Sequence, residues 1–143
     1  MENDTLKLLR ECDAGIKMGV SAIDEVITKA KSDRMLNKLN EFRAEHDTML
    51  ADTQNELSKY HDSGKEPEPM AKGMSWLKTN TKLAIDPSDK TIADLMTDGC
   101  NMGIKSINRY LNQYPAANSN AKSIANRLID LEERMTTEFK SYL

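Results

Sequence analysis

Two cysteines, one histidine and one methionine of this 143-residue chain are of types that could bind a soft metal ion. All of them fall on the apolar stripes of segments with helical periodicity: Cys12, His46, Cys100 and Met135. Thiolate, imidazole and thioether ligands suit Cu(I), or zinc without the thioether. Cys12 lies about 19 residues before a polar break at Ser32 and His46 about 14 after it, so their heights differ by about one to two turns. An approximate twofold relation between the two halves of the chain would place Cys100 and Met135 in the same way, which would allow one metal site with all four side chains.

A packing role explains the same residues more simply. Cysteine is among the most buried residue types and behaves as a small hydrophobic residue. A single inward histidine is more often a hydrogen-bonded core residue than a ligand. A disulfide between Cys12 and Cys100 is a further alternative, and it needs Cα atoms within about 7 Å and an oxidising compartment.

Composition and charge narrow the classes of function. The chain has 20 Lys and Arg against 23 Asp and Glu, so its net charge of −3 excludes a generic electrostatic nucleic-acid binder. No apolar run approaches the roughly 18 residues of a membrane helix. The acidic start at Met1 to Asp4 lacks the apolar core of a signal peptide. We therefore expect a cytoplasmic protein with both thiols reduced and with neither nucleic acid nor a membrane as its partner.

Four long amphipathic helices must position these side chains. They are predicted at 6–30, 34 to about 60, about 87–114, and from 118 or 119 onwards, with caps at Ser32, at Asp86 or Ser88, and at Asn118 or Ser119. A shorter helical piece is predicted from Met70 or Met74 to Ile85, carrying Trp76. The inward stripes are Leu9, Cys12, Ile16, Gly19, Ile23 and Val26, then Met35, Leu39, Phe42, His46, Met49, Thr53 and Leu57, then Ala93, Met96, Cys100, Ile104, Ile107 and Leu111, and finally Ile124, Leu128, Leu131, Met135 and Phe139.

An internal repeat relates the two halves of the chain. Residues 12–17, Cys-Asp-Ala-Gly-Ile-Lys, share the Cys, Gly, Ile and Lys positions with residues 100–105, Cys-Asn-Met-Gly-Ile-Lys. In the helices that follow, Leu39 and Phe42 align with Leu128 and Leu131 after a one-residue gap. One helical hairpin exposes an apolar face, whereas two facing hairpins close a core with approximate twofold symmetry. The repeat therefore predicts two related hairpins.

The pattern resembles the ferritin-like superfamily and, in detail, a bacterial ferritin-like family of unknown function. The family is similar in its Cys-x-x-Gly segments, its Gly/Pro connector and a Trp-Leu-Lys stretch. The corresponding residues here are Cys12-x-x-Gly15, Gly64-Lys65-Glu66-Pro67, Ser75-Trp76-Leu77-Lys78 and Cys100-x-x-Gly103. The resemblance implies a ferritin-like four-helix bundle, and it implies no particular activity because fold does not fix function.

The ferritin resemblance also raises the question of a di-iron centre. Such a centre takes a Glu from each of two helices and a Glu-x-x-His pair from each of the other two. Here Arg43 stands three residues before His46, and Glu132 and Glu133 have no histidine after them. His61 lies at a helix end. We therefore expect no di-iron centre of that type, and the cofactor stays unknown.

The predicted fold is all-α: a single ferritin-like four-helix bundle built from two related helical hairpins. The hairpins are placed at about 4–61 and about 87–143, with a connector and short accessory helix at about 62–86.

Two functions follow from this fold. The first is a non-enzymatic structural or protein-interaction module, acting as a homodimer or with another protein. Exposure of Met18 and Met102 outside the stripes would favour such a binding surface. The alternative is a metal-binding or oxidoreductase bundle that uses His46 with Cys12 and Cys100, or with nearby carboxylates.

Overall fold

Four long helices make up most of the described chain. The computed structural model describes residues 2–67 and 82–143, and this part contains helices but no strand. The helices are α1 (Glu2–Ile27), α2 (Asp33–Ser58), the short α3 (Lys82–Ile85), α4 (Asp89–Gln113) and α5 (Ser119–Phe139), followed by a 3₁₀ turn at Lys140–Tyr142. Apart from α3, the predicted accessory helix with Met70, Met74 and Trp76 lies outside the described residues. None of the described helices has both the length and the apolar character needed to cross a membrane.

Polar N-caps begin the last three long helices. The side chains of Ser32, Ser88 and Asn118 accept hydrogen bonds from the backbone N–H three residues later, at 3.1, 3.2 and 2.9 Å. Each bond satisfies a donor that the first helical turn leaves unpaired. Of the alternatives given by the sequence, Ser88 rather than Asp86 caps α4, and Asn118 rather than Ser119 caps α5.

The apolar stripes of the four long helices meet in one core. Every predicted stripe residue of α2 and α5 is buried, and in α1 and α4 only Gly19, Ile104 and Leu111 are half-buried. The rings of Phe42 and Phe139 meet edge to face at 5.9 Å between centroids. Burial of each large apolar side chain stabilises the fold by about 1.5–3 kcal/mol relative to exposure.

Helices α1 and α5 occupy the middle of the structure. Each of them packs against the other three long helices, whereas α2 and α4 are not a closely packed pair. Helices α2 and α4 therefore lie at opposite corners. This arrangement explains why α1 has few fully exposed residues between 11 and 23.

The carboxylate of Asp89, at the start of α4, holds the turn between α1 and α2. It accepts hydrogen bonds from the backbone N–H groups of Lys31 at 2.7 Å and Ser32 at 3.0 Å. Burial of the carboxyl acts to raise the pKa of Asp89, but these hydrogen bonds outweigh it and hold the pKa below its ordinary value. The end of α1 is thereby fixed beside the start of α4.

The start of α1 holds the turn between α4 and α5 in the same manner. Asp4 Oδ2 accepts from the backbone N–H of Ala116 at 3.0 Å, and Thr5 Oγ1 accepts from that of Asn118 at 2.8 Å. Because the start of each of α1 and α4 lies beside the end of the other, the two helices are antiparallel.

Ion pairs join α2 to α5 along their exposed edge. The guanidinium of Arg134 donates to both oxygens of Glu45 at 3.2 and 2.8 Å, and Arg127 pairs with Asp52 at 3.0 Å. The partners are two turns apart on both helices, so the pairs fit one antiparallel register. Exposed pairs of this kind stabilise by only about 0.2–1 kcal/mol each.

Candidate functional site

Cys100 and Met135 face each other between α4 and α5. Cys100 Sγ lies 4.0 Å from Met135 Sδ, and both side chains are buried. Burial raises the pKa of the Cys100 thiol, with the nearby carboxyl of Glu132 as a second cause. The thiol is therefore protonated at neutral pH and donates its proton toward the thioether.

The carboxyl of Glu132 lies one turn before Met135, against the backbone of Gly103. A Cβ atom added to Gly103 would overlap this carboxyl, so the glycine provides the space that it occupies. Glu132 Oε2 is buried without a hydrogen-bond partner. Desolvation raises the pKa of Glu132 to about 8, so the carboxyl is mostly neutral at pH 7.

His46 packs on α1. Its Nδ1 lies 2.7 Å from the carbonyl oxygen of Phe42, and because a carbonyl only accepts, Nδ1 must carry the proton. The opposite edge of the ring, with Nε2, lies against Gly19, where an added Cβ would overlap it. Burial lowers the pKa of His46, so the imidazole is neutral at pH 7.

The register of α1 and α4 separates the two cysteines. Cys12 precedes Lys31 by about 19 residues and Cys100 follows Asp89 by about 11, which places them about 12 Å apart along the helix axes. Both cysteines are free. A disulfide needs Cα atoms within about 7 Å, and ligands of one ion must lie closer still. Neither the disulfide considered as an alternative nor a metal site shared by Cys12 and Cys100 is therefore available in this fold.

The four predicted ligands thus occupy three places in the core. Only Cys100 and Met135 come together, His46 lies at Gly19, and Cys12 is about two turns of α1 away from that glycine. Burial raises the pKa of Cys12 to about 12, so this thiol is protonated as well. Across residues 2–67 and 82–143, no three His, Cys, Asp or Glu side chains are grouped so that they could hold a metal ion.

Asp13 is a buried charged residue that the sequence prediction did not single out. Its side chain is fully buried in α1, where Oδ2 lies 2.7 Å from Lys17 Nζ. The same oxygen accepts a hydrogen bond at 2.9 Å from the backbone N–H of Lys65, in the segment that follows α2. The signal in the sequence was an acid directly after the stripe residue Cys12. Its partner could be found only from the course of the later chain.

The surface between α2 and α5, called here the α2–α5 face, carries two shallow grooves. They hold about 370 and 270 Å³ and share Arg127. The lining residues are Ala44, Glu45, Thr48, Met49, Arg127, Asp130 and Arg134 in the larger groove and Asp52, Asn55, Glu56, Asn120, Ser123, Ile124 and Arg127 in the smaller. Both signs of charge line this face. On α4, the side chain of Met102 is 59% exposed, whereas Met18 is half-buried on α1.

Comparison of the chain with protein-family models, with curated proteins and with solved structures gives no match.

Proposed function

We propose that the protein is a ferritin-like four-helix bundle, built from two related hairpins, that acts as a non-enzymatic association module in the cytosol. Two observations support the architecture. The four long helices share one core, and the start of each hairpin holds the turn of the other, through Asp89 in one direction and through Asp4 and Thr5 in the other. A twofold repeat would produce this reciprocity.

The α2–α5 face is the surface that we assign to a second copy of the chain. A twofold dimer places the same surface on both subunits, so that surface must be complementary to itself. A face of one sign would repel its copy, but Glu45 and Asp130 lie here among Arg127 and Arg134. The groove between the helices supplies a concave floor beside these charges. This groove, lined by both signs of charge, is the observation that carries the proposal.

Sedimentation equilibrium tests the proposal directly. The wild-type chain is expected to dimerise at concentrations of about 0.1 mM or below, and Thr48→Trp is expected to raise the dimer Kd at least about tenfold because the indole fills the groove. Thr48 is exposed, so circular dichroism should be unchanged. Met102→Lys, on α4, is the control and should leave the dimer intact. A monomeric wild type would contradict the proposal. Loss of the dimer in Met102→Lys alone would move the interface to α4 and overturn the assignment to the α2–α5 face.

A metal-binding bundle is the second candidate function, and the contact between Cys100 and Met135 favours it. Two sulfur ligands about 2.3 Å from one ion, at a trigonal angle, lie about 4 Å apart. The observed separation is 4.0 Å. Thiolate and thioether suit Cu(I), and its binding would have to displace the thiol proton that burial retains.

Competition with a coloured Cu(I) chelator under anaerobic, reducing conditions tests this second candidate. One equivalent of Cu(I) is expected on the wild-type chain and on Cys12→Ala, and none on Cys100→Ala. Cys12→Ala is the matched control because it also removes a buried thiol. Equal loss in both variants, or no Cu(I) bound to the wild type, would contradict a site at Cys100 and Met135.

A further inference from the structure

Residues 62–67, called here the strap, cross α1 directly after α2. The backbone N–H of Lys65 donates to Asp13 Oδ2 at 2.9 Å, and Lys65 Nζ forms an ion pair with Glu11 of α1. Gly64 lies over Asp13 with φ of +101°, and a Cβ atom at this position would overlap the carboxylate. The close approach of the strap to α1 therefore requires a glycine here.

Further charged side chains secure both sides of this crossing. Lys17 Nζ lies 2.7 Å from Asp13 Oδ2 and 3.9 Å from Glu66 of the strap, and Arg10 Nε lies 3.9 Å from Asp62. Pro67 adds a buried apolar contact at the end of the strap. The strap is thus held mainly by charged groups, in contrast to the apolar packing of the long helices.

Closure of the strap also carries a cost. The carboxylate of Asp13 is fully buried, and its Oδ1 has no hydrogen-bond partner, so closure removes that oxygen from water without replacing its hydrogen bonds. The left-handed φ of +56° at His61, by contrast, belongs to the end of α2, where the N–H of His61 donates to Ser58 O at 3.1 Å and that of Asp62 donates to Leu57 O at 3.2 Å. The cost at Asp13 disappears when the strap leaves α1.

We propose that the strap is an electrostatic latch: it opens from α1 as a unit while the four long helices stay folded, and ionic strength sets the fraction of molecules in which it is open. Salt shortens the screening length from about 10 Å at 0.1 M to about 3 Å at 1 M, which weakens the ion pairs that hold the strap. The desolvation of Asp13 is not relieved by salt. Higher salt therefore shifts the balance toward the open strap, through a local opening that does not require global unfolding.

Hydrogen exchange followed by mass spectrometry tests the latch on the whole chain. Between 0.05 and 1 M NaCl, amides of the peptide that spans the strap are expected to lose protection about tenfold or more, while those in the middle of α4 and α5 keep theirs. Gly64→Ala should remove the protection of the strap already at low salt, because the added Cβ overlaps Asp13. Gly15→Ala, whose Cβ would meet its nearest atom at 3.6 Å, is the matched control and should leave the strap protected.

Two results would overturn the latch. The first is exchange of the strap amides at the same rate as the amides of the long helices, because the strap would then open only by global unfolding. The other is strap protection that is unchanged by salt, since the charged contacts would then not hold the strap. If Gly64→Ala fails to fold, the salt series on the wild-type chain still decides between these outcomes.

Discussion

Two glycines of α1 lie one turn apart but differ in what surrounds them. A Cβ at Gly15 would meet Leu128 and Ile107 at 3.6 and 3.8 Å, which are ordinary contacts. A Cβ at Gly19 would overlap the ring of His46, and that ring cannot move freely because Nδ1 is bonded to a backbone carbonyl. Helix propensity alone favours alanine over glycine by about 1 kcal/mol at both positions.

We expect opposite effects from the same substitution at these two positions. Gly15→Ala should raise the free energy of unfolding by about 0.5–1 kcal/mol, and Gly19→Ala should lower it by about 1–3 kcal/mol through overpacking. Urea denaturation measures both changes, with the same dependence of the free energy of unfolding on urea concentration fitted to all variants. In a His46→Ala background, Gly19→Ala should cost less than it does alone. Destabilisation by Gly15→Ala, or a neutral Gly19→Ala, would contradict the packing described for α1.

Glu132 makes stability depend on pH in the direction opposite to most carboxylates. Its pKa is raised from 4.5 to about 8 by desolvation, so the folded state holds a proton that the unfolded state has lost. The contribution of Glu132 to the free energy of unfolding is fully present below the pKa that the group has in the unfolded chain. This contribution is lost as pH rises through the pKa of the folded state. Ionised Glu132 should cost on the order of 5 kcal/mol at about pH 9.

Glu132→Gln removes this titration. The variant is therefore expected to show a smaller decline in the free energy of unfolding between pH 5 and pH 9. Its carboxamide has nearly the same shape, so the variant should be more stable than the wild type at the alkaline end. Denaturant midpoints at several pH values give the comparison. Glu133→Gln, at the exposed neighbouring position, should follow the wild-type curve. Parallel curves for Glu132→Gln and the wild type would rule out a buried neutral carboxyl at this position.

At the scale of helices, Asp33 and Asp89 form a natural comparison. Each directly follows a serine N-cap and lies in the first turn of a long helix, where it interacts favourably with the helix dipole. Asp89 additionally accepts two backbone hydrogen bonds from the α1–α2 turn, whereas Asp33 is exposed. The difference in the free energy of unfolding between Asp89→Ala and Asp33→Ala therefore measures what the two hydrogen bonds from the α1–α2 turn to Asp89 contribute.

We expect Asp89→Ala to lower the free energy of unfolding by about 1–2 kcal/mol more than Asp33→Ala at pH 7. The pKa of Asp89 is held below its ordinary value of 3.8, so its contribution is present above that value and is lost as pH falls through and below it. Thermal unfolding at pH 7 and at about pH 3 measures both effects. Equal losses in the two variants would show that the turn is held by other groups.

The helices could be predicted well because their signals are local. The stripe of α2 recurs every three or four residues, and all of it is buried, including Thr53 and His46. The surroundings of the core polar groups depend instead on contacts between distant segments. Asp13 is covered by the strap, which returns to α1 some 50 residues later in the chain. Cys12 and Cys100 begin two similar six-residue segments, but antiparallel packing moves them apart, and no local pattern indicates that offset.

At the scale of the whole molecule, the two hairpins share a single core. Helix α1 packs on both helices of the second hairpin, and α5 packs on both helices of the first. Neither hairpin can open without exposing apolar surface on the other. The two hairpins are therefore expected to unfold together, whereas the strap, which contributes little to that core, can open separately.

The two cysteines test this cooperativity, since Cys12 belongs to the first hairpin and Cys100 to the second. Both thiols are buried and burial raises the pKa of each, so a disulfide reagent reaches them only after opening. Cys12→Ala leaves Cys100 as its one thiol, and Cys100→Ala leaves Cys12. In moderate urea the reaction rates of these two thiols should agree within about threefold, once each rate is divided by that of the same thiol in the fully unfolded chain. Ser123→Cys, at an exposed position of α5, should react at once as the control. Much faster reaction at Cys100 would mean that the second hairpin opens by itself, and the shared core would then not couple the two halves.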